Sequence, residues 1–181
     1  MPITITVPEK SLFNSETNEF IEVKETKLKL EHSLLSITAW ESKWHKPYLS
    51  KEQKTSEEVL DYVRCMTINT PVDPNVYLAL SNDNLKQIIS YIEDPMTATT
   101  IKRQEKKASN EIITNEIIYY WMTALNIPFD PCQKWHLSRL LTLIEVASIK
   151  NQPPKKMSQK EIMKRNRSLN AARRAKHHSS G

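Results

Sequence analysis

WHLSRLLTLIEVASIK, Trp135–Lys150, is the stretch from which the rest of the chain is best read. Leu137, Leu140, Leu141, Ile144 and Ala147 recur at three- and four-residue steps. Leu143, Val146 and Ile149 widen that stripe until only Ser138, Thr142 and Glu145 remain as a polar strip. Such a helix is packed on several sides or joins an oligomer contact. Asn151-Gln152-Pro153-Pro154 ends it, because proline has no N–H and crowds the preceding turn. KKMSQKEIMKRNRSLNAARRAK (155–176) follows. Its Ser158 and Glu161 have the spacing of a capping box, flanked by Met157 and Ile162 as a hydrophobic staple. Ile162, Leu169 and Ala172 make a thin apolar seam, with Met163 at its margin. So thin a seam, among repelling cations, predicts a helix that is marginal alone and firms up on a partner.

Charge divides the chain at the same place. Lys150 to Gly181 holds ten Lys and Arg against the single acid Glu161, so it carries +9 within a chain of net +5. Residues 1–149 therefore carry −4. A mildly acidic body with a cationic arm is suited to meet something acidic.

Working back toward the N-terminus, Asp130-Pro131 predicts a helix start, an N-cap followed by proline. Ile113, Ile117, Tyr120, Trp121 and Ala124 predict one apolar face, with Ile118, Met122 and Leu125 beside it and Asn126 as a left-handed stop. Met96 to Ile101 reads as strand or extended linker, and Lys102 to Lys107 as exposed. Asn82 or Asp83 opens a helix carrying Leu85, Ile88, Ile89 and Ile92, and Asp73-Pro74 opens a short one through Leu80. Thr55-Ser-Glu-Glu58 is a capping box before a face of Val59, Leu60, Val63 and Met66. From Ser33, Leu34, Leu35, Ile37, Trp40 and Trp44 form a helical stripe ending before Pro47. Ile3–Val7 alternates as a strand, and 20–23 and 27–30 are expected to pair with it. The fold expected is mostly α: a helical single domain with a small N-terminal β element (1–30), a helical body (31–150) and a basic C-terminal helix in an arm (151–181).

Composition excludes several chemistries. The one glycine is Gly181, so a Walker loop, a dinucleotide-binding turn and a nucleophile elbow are all absent. Cys65 and Cys132 lack metal or redox spacing and read as buried free thiols of a reducing cytosol. No apolar run approaches the ~20 residues of a membrane span, and no signal sequence opens the chain. Glu22-Val23-Lys24 could serve a metal nuclease, but no Asp precedes Asp61, so solvent-facing charges are the better account. His32, His45 and His136 have no helical partner His or Cys and read as core or helix-end side chains. No catalytic residue, metal site or cofactor is expected.

Three readings of the arm remain: a solvated tail, a grip on nucleic-acid phosphate, or a dock for an acidic protein. The seam and staple argue against a tail, and missing aromatics argue against base stacking. The candidate contact residues are Lys155, Lys156, Lys160, Ile162, Lys164, Arg165, Arg167, Leu169, Arg173 and Arg174.

The block WHLSRLLTLIEVASIKNQPPKKMSQKEIMKRNRSLNAARR resembles the tail assembly chaperones of long-tailed bacteriophages. So do LKLEHSLLSITAWESKWHKPYL, EIITNEIIYYWMTALNIPF and TSEEVLDYV, and the resemblance spans about Lys27 to Lys176. It implies a non-enzymatic role in virion morphogenesis: coating the long, helical, aggregation-prone tape measure protein in the host cell cytoplasm until tail-tube subunits polymerise around it. It further implies absence from the mature virion, self-association into an oligomer, and a longer frameshifted form of which this chain would be the short version. The alternative is a phage nucleic-acid-binding protein using the basic arm.

Overall fold

The computed structural model describes residues 2–14, 18–69, 71–101, 112–152 and 159–177. The chain is mostly α, with a small antiparallel β part. It forms two units, 1–148 and 149–181, each described by itself.

The first unit opens with β1 (Ile3–Val7), β2 (Lys10–Asn14), β3 (Glu19–Val23) and β4 (Thr26–Leu30). β1 pairs with β4 and β2 with β3, both antiparallel. Ile3 faces Leu30, Val7 faces Thr26 and Lys10 faces Val23, so partner numbers keep a constant sum. The four strands are thus one long ribbon in unbroken register. Its ladder lapses at Pro8, which has no N–H to give. Residues 20–23 therefore pair with β2, not with 3–7 as expected. β2 was missed because KSLFN has only two apolar residues, adjacent at Leu12 and Phe13, and so lacks the alternation of a half-buried strand. In the proximal half that alternation is clear: Ile5, Val7, Leu28 and Leu30 are buried, while Lys27 and Lys29 face out.

The outer edge of β4 is covered. Glu31 donates its N–H to Met66 O (2.9 Å), and Ile68 donates to Lys29 O (2.9 Å). Asn69 donates to Lys27 O and accepts from Lys29 N–H, so 66–69 lie beside β4 like a short third strand.

α1 (Leu34–Trp44) starts at a reciprocal Ser33–Ser36 cap and stops at His45, φ 52°. In a chain whose sole glycine is residue 181, left-handed positions among the described residues fall to Asn18, His45, Met96 and Asn126. α2 (Ser56–Met66) has the expected box: Thr55 Oγ accepts from Glu58 N–H, and Glu58 accepts from Thr55 N–H at 2.7 Å. Two one-turn helices are α3 (Asn75–Leu78) and α6 (Phe129–Cys132). α4 (Asn82–Glu93) is capped by Ser81 with Asn84, one residue earlier than expected, and Asn84 Nδ2 reaches Thr6 O on β1. α5 (Asn115–Ala124) follows, closed by Asn126 in the left-handed region. Residues 96–101 form no strand, and the charged 102–107 lie outside the described residues.

Asp130-Pro131 does not open the long helix. Asp130 is extended (ψ 130°), Phe129–Cys132 is one turn, and α7 begins at Leu137 and ends at Asn151. The Asp-Pro signal is local and marks this turn instead. α7 buries Leu137, Leu140 and Ile144, with Leu141, Leu143, Val146 and Ala147 half-buried.

Polar anchors, not apolar stripes, set how two helices are rotated. On α5 the expected Ile113/Ile117/Tyr120 side is not the core side: Tyr120 is 69% exposed, while Asn115, Ile118 and Met122 are buried. The buried carboxylate of Glu41 on α1 accepts Asn115 N–H (2.8 Å) and Nδ2–H (2.6 Å), and it also accepts Tyr48 N–H (2.7 Å). Residues at 115, 118 and 122 share a helix face, so fixing Asn115 turns Ile118 and Met122 inward. On α2, Val59 is exposed and Glu58, Asp61 and Tyr62 are buried alongside Val63 and Met66. Trp40 Nε1 donates to Glu58 O (2.9 Å) and Trp44 Nε1 to Asp61 Oδ2 (2.9 Å). Leu35 and Ile89 also face solvent, contrary to the stripes drawn for them.

The second unit holds the end of α7 and α8 (Gln159–His177).

Candidate functional site: an exposed cationic helix

The candidate residues Lys160, Ile162, Lys164, Arg165, Arg167, Leu169, Arg173 and Arg174 all lie on α8. Lys155 and Lys156, and the Ser158 cap, lie outside the described residues. Every described side chain from Gln159 to Lys176 is exposed, including Ile162 (43%), Met163 (64%) and Leu169 (48%). At 3.6 residues per turn, Lys160, Lys164, Arg167 and Arg174 line one side of this helix. Ile162, Leu169 and Ala172 line another, with Arg165 and Lys176 between Leu169 and Ala172 around the helix and Arg173 beside Ile162. Geometrically this is a helix able to bury a narrow seam while its cations meet negative charge.

The first unit contains a polar cluster that the sequence did not announce. His32 and His136, 104 residues apart in number, bring their rings to 5.1 Å. His32 Nδ1 pairs with Tyr62 Oη at 2.5 Å, and Tyr62 stacks on Tyr48 with ring centroids 3.8 Å apart. His136 Nδ1 accepts from Ser138 N–H (3.3 Å), so Nε2 carries the hydrogen that it donates to Tyr91 O (3.0 Å). Tyr91 Oη donates to the buried Glu31 (2.6 Å), and Leu137 N–H donates to His32 O (2.7 Å). Burial, and then the neighbouring His136, push His32 down to about 3. Burial also lowers His136, against the opposing hydrogen bond to Tyr91 O. Both imidazoles are therefore neutral near pH 7. Burial raises the phenols of Tyr48, Tyr62 and Tyr91, so they stay protonated. The cluster joins the β4–α1 connection, the end of α4 and the start of α7, and its groups are engaged with one another. The expectation of core or helix-end histidines described their surroundings, but each looked isolated because nothing local links residue 32 to residue 136.

The buried acids are similarly committed. Asp61 accepts from Lys43 Nζ (2.6 Å) and Trp44 Nε1; these, with Arg64, outweigh its burial and hold its carboxyl below the usual range. Glu58 is held low by Lys46 (2.5 Å) and its Thr55 cap. On the ribbon, exposed Glu22 accepts from Ser11 Oγ (2.7 Å), and Lys24 is exposed too. Among the described residues no three His, Cys, Asp or Glu side chains are grouped so as to hold a metal ion.

Cys65 and Cys132 are free; burial and then Asp61 push the Cys65 thiol up to about 11, away from a reactive thiolate. A space of ≈ 20 Å³ between Trp40, Lys54 and Glu58 has room for about one water. A hollow of ≈ 510 Å³ at the end of α4, lined by Lys86, Ile89, Ser90, Glu93, Asp94 and Pro95, lies open to solvent. Among the described residues no helix is long and apolar enough to cross a membrane. Compared with known families, characterised proteins and solved structures, the chain matches none.

Proposed function

We propose that this chain is a non-catalytic tail assembly chaperone of a long-tailed bacteriophage, working as one functional domain that ends in a basic helix. It holds the tape measure protein soluble in the host cytoplasm while the tail assembles, self-associates, and is left out of the finished virion. The observation that carries this reading is α8: eighteen consecutive exposed side chains with seven cations and one acid, and an uncovered apolar seam. A helix so placed is stabilised by meeting a complementary partner, and charge attraction speeds the encounter. The resemblance of residues from about 27 to 176 to such chaperones supplies the partner's identity.

The test is co-expression with the tape measure protein encoded near this chain's own gene. The partner becomes soluble and elutes with the chain on size exclusion. A partner left in the pellet, with no complex formed, refutes the proposal.

The second reading, a nucleic-acid grip by the same helix, is favoured by the same seven cations. It requires tight duplex binding at physiological salt, with an affinity that falls as about the sixth power of salt concentration if all seven engage. Weak or absent duplex binding removes it.

A further inference from the structure

We infer that α8 recognises an acidic, amphipathic α-helix through its apolar seam, and that its cations strengthen this contact without defining it. The inference rests on the chaperone reading only in taking α8 as the contact helix.

Charge selects the chemistry of the occupant. Seven cations against Glu161 over Gln159–Lys176 repel a basic helix and favour one rich in Asp and Glu. The arrangement of those cations then separates a helix from a phosphate chain. Ile162 and Leu169 are seven residues apart, two turns of α-helix, so they lie one above the other about 10 Å apart. Ala172, three residues beyond Leu169, keeps the seam narrow enough for another helix to approach. Arg165, Arg173 and Lys176 lie on the same side as these apolar residues, within reach of carboxylates flanking a partner's apolar stripe. Lys160, Lys164, Arg167 and Arg174 lie on a different side and contribute long-range attraction. A phosphate backbone would use all these cations and leave Ile162 and Leu169 with nothing to bury against. Both residues are exposed, 43% and 48%, so replacing them removes no buried side chain.

The experiment uses the full chain and three probes. The first is a synthetic peptide of about four heptads with leucine at the a and d positions and glutamate beside them. The second is the same composition scrambled so that the stripe is lost. The third is a duplex of about 20 base pairs. Binding is read by fluorescence anisotropy at physiological salt, for the wild-type chain and for Ile162→Gln/Leu169→Gln, which keeps helix propensity and every charge. The patterned peptide binds the wild type at least about 10-fold more tightly than the scrambled one, and the double variant loses that preference. Equal binding of the two peptides, an unchanged preference in the variant, or tighter binding of the duplex overturns the inference. Co-expression with the tape measure protein separates the two ideas. A variant that still solubilises that partner leaves the chaperone reading standing and removes the seam from it.

Discussion

Lowering the pH from about 7 to about 5 tests the buried histidine pair. His32 sits near 3 in the folded chain and near 6.5 when unfolded, so the fold favours the neutral ring. The unfolded state binds more protons across this interval. Stability is therefore fully present above about pH 6.5 and declines as pH falls toward 3. The whole difference is worth at most about 5 kcal/mol, and the part lost between pH 7 and pH 5 is about 2 kcal/mol. His136 shifts in the same direction and adds to the loss. The facing groups are Tyr62, Tyr48, Tyr91 and Glu31, of which the phenols stay protonated throughout. Carboxyls held low, Glu58, Asp61 and Glu116, lose their contribution only below their ordinary range near pH 4, outside the window.

The assay is urea denaturation at pH 7, 6 and 5, followed by tryptophan fluorescence, since Trp40 is buried. The extrapolated stability falls by about 2 kcal/mol or more. His32→Gln, which keeps a hydrogen-bonding group for Tyr62, is less stable at pH 7 but shows a shallower slope. A wild-type stability that is flat over this range, or a variant with the full wild-type slope, refutes the account of the cluster.

Three further outcomes follow from the packing. Glu41→Leu orphans the N–H groups of Tyr48 and Asn115 and the Asn115 amide, costing about 3–5 kcal/mol by chemical denaturation; a loss below about 1 kcal/mol would show that Glu41 does not anchor α5. Met122→Ala costs about 2–5 kcal/mol while Tyr120→Ala stays within about 0.5 kcal/mol, and the reverse order in thermal melts would restore the face read from the sequence. Thr55→Ala removes the α2 cap and lowers stability by about 1 kcal/mol, measured as a shift in the urea midpoint at unchanged slope.

Much of the fold was legible because its signals are local. The cap at Thr55, the left-handed stop at Asn126 and the break after residue 150 need only near neighbours. Strand character in 3–7, 20–23 and 27–30 revealed three of the four strands, whereas β2 is too solvated to show it. For the candidate site, the cations and the seam of α8 were visible as charge and spacing. The His32–His136 cluster was not, since no pattern spans the distance between them.

The amino-acid order by itself determined where most helices run, the cap of α2, and that charge divides between an acidic body and a basic arm. Only the tertiary structure decided which face of α5 turns inward. Apolar residues cover most of that helix's circumference, and its Asn115 is itself polar, so periodicity leaves its rotation open. A carboxylate 74 residues away settles it, because a buried Glu41 must satisfy its oxygens and finds Asn115.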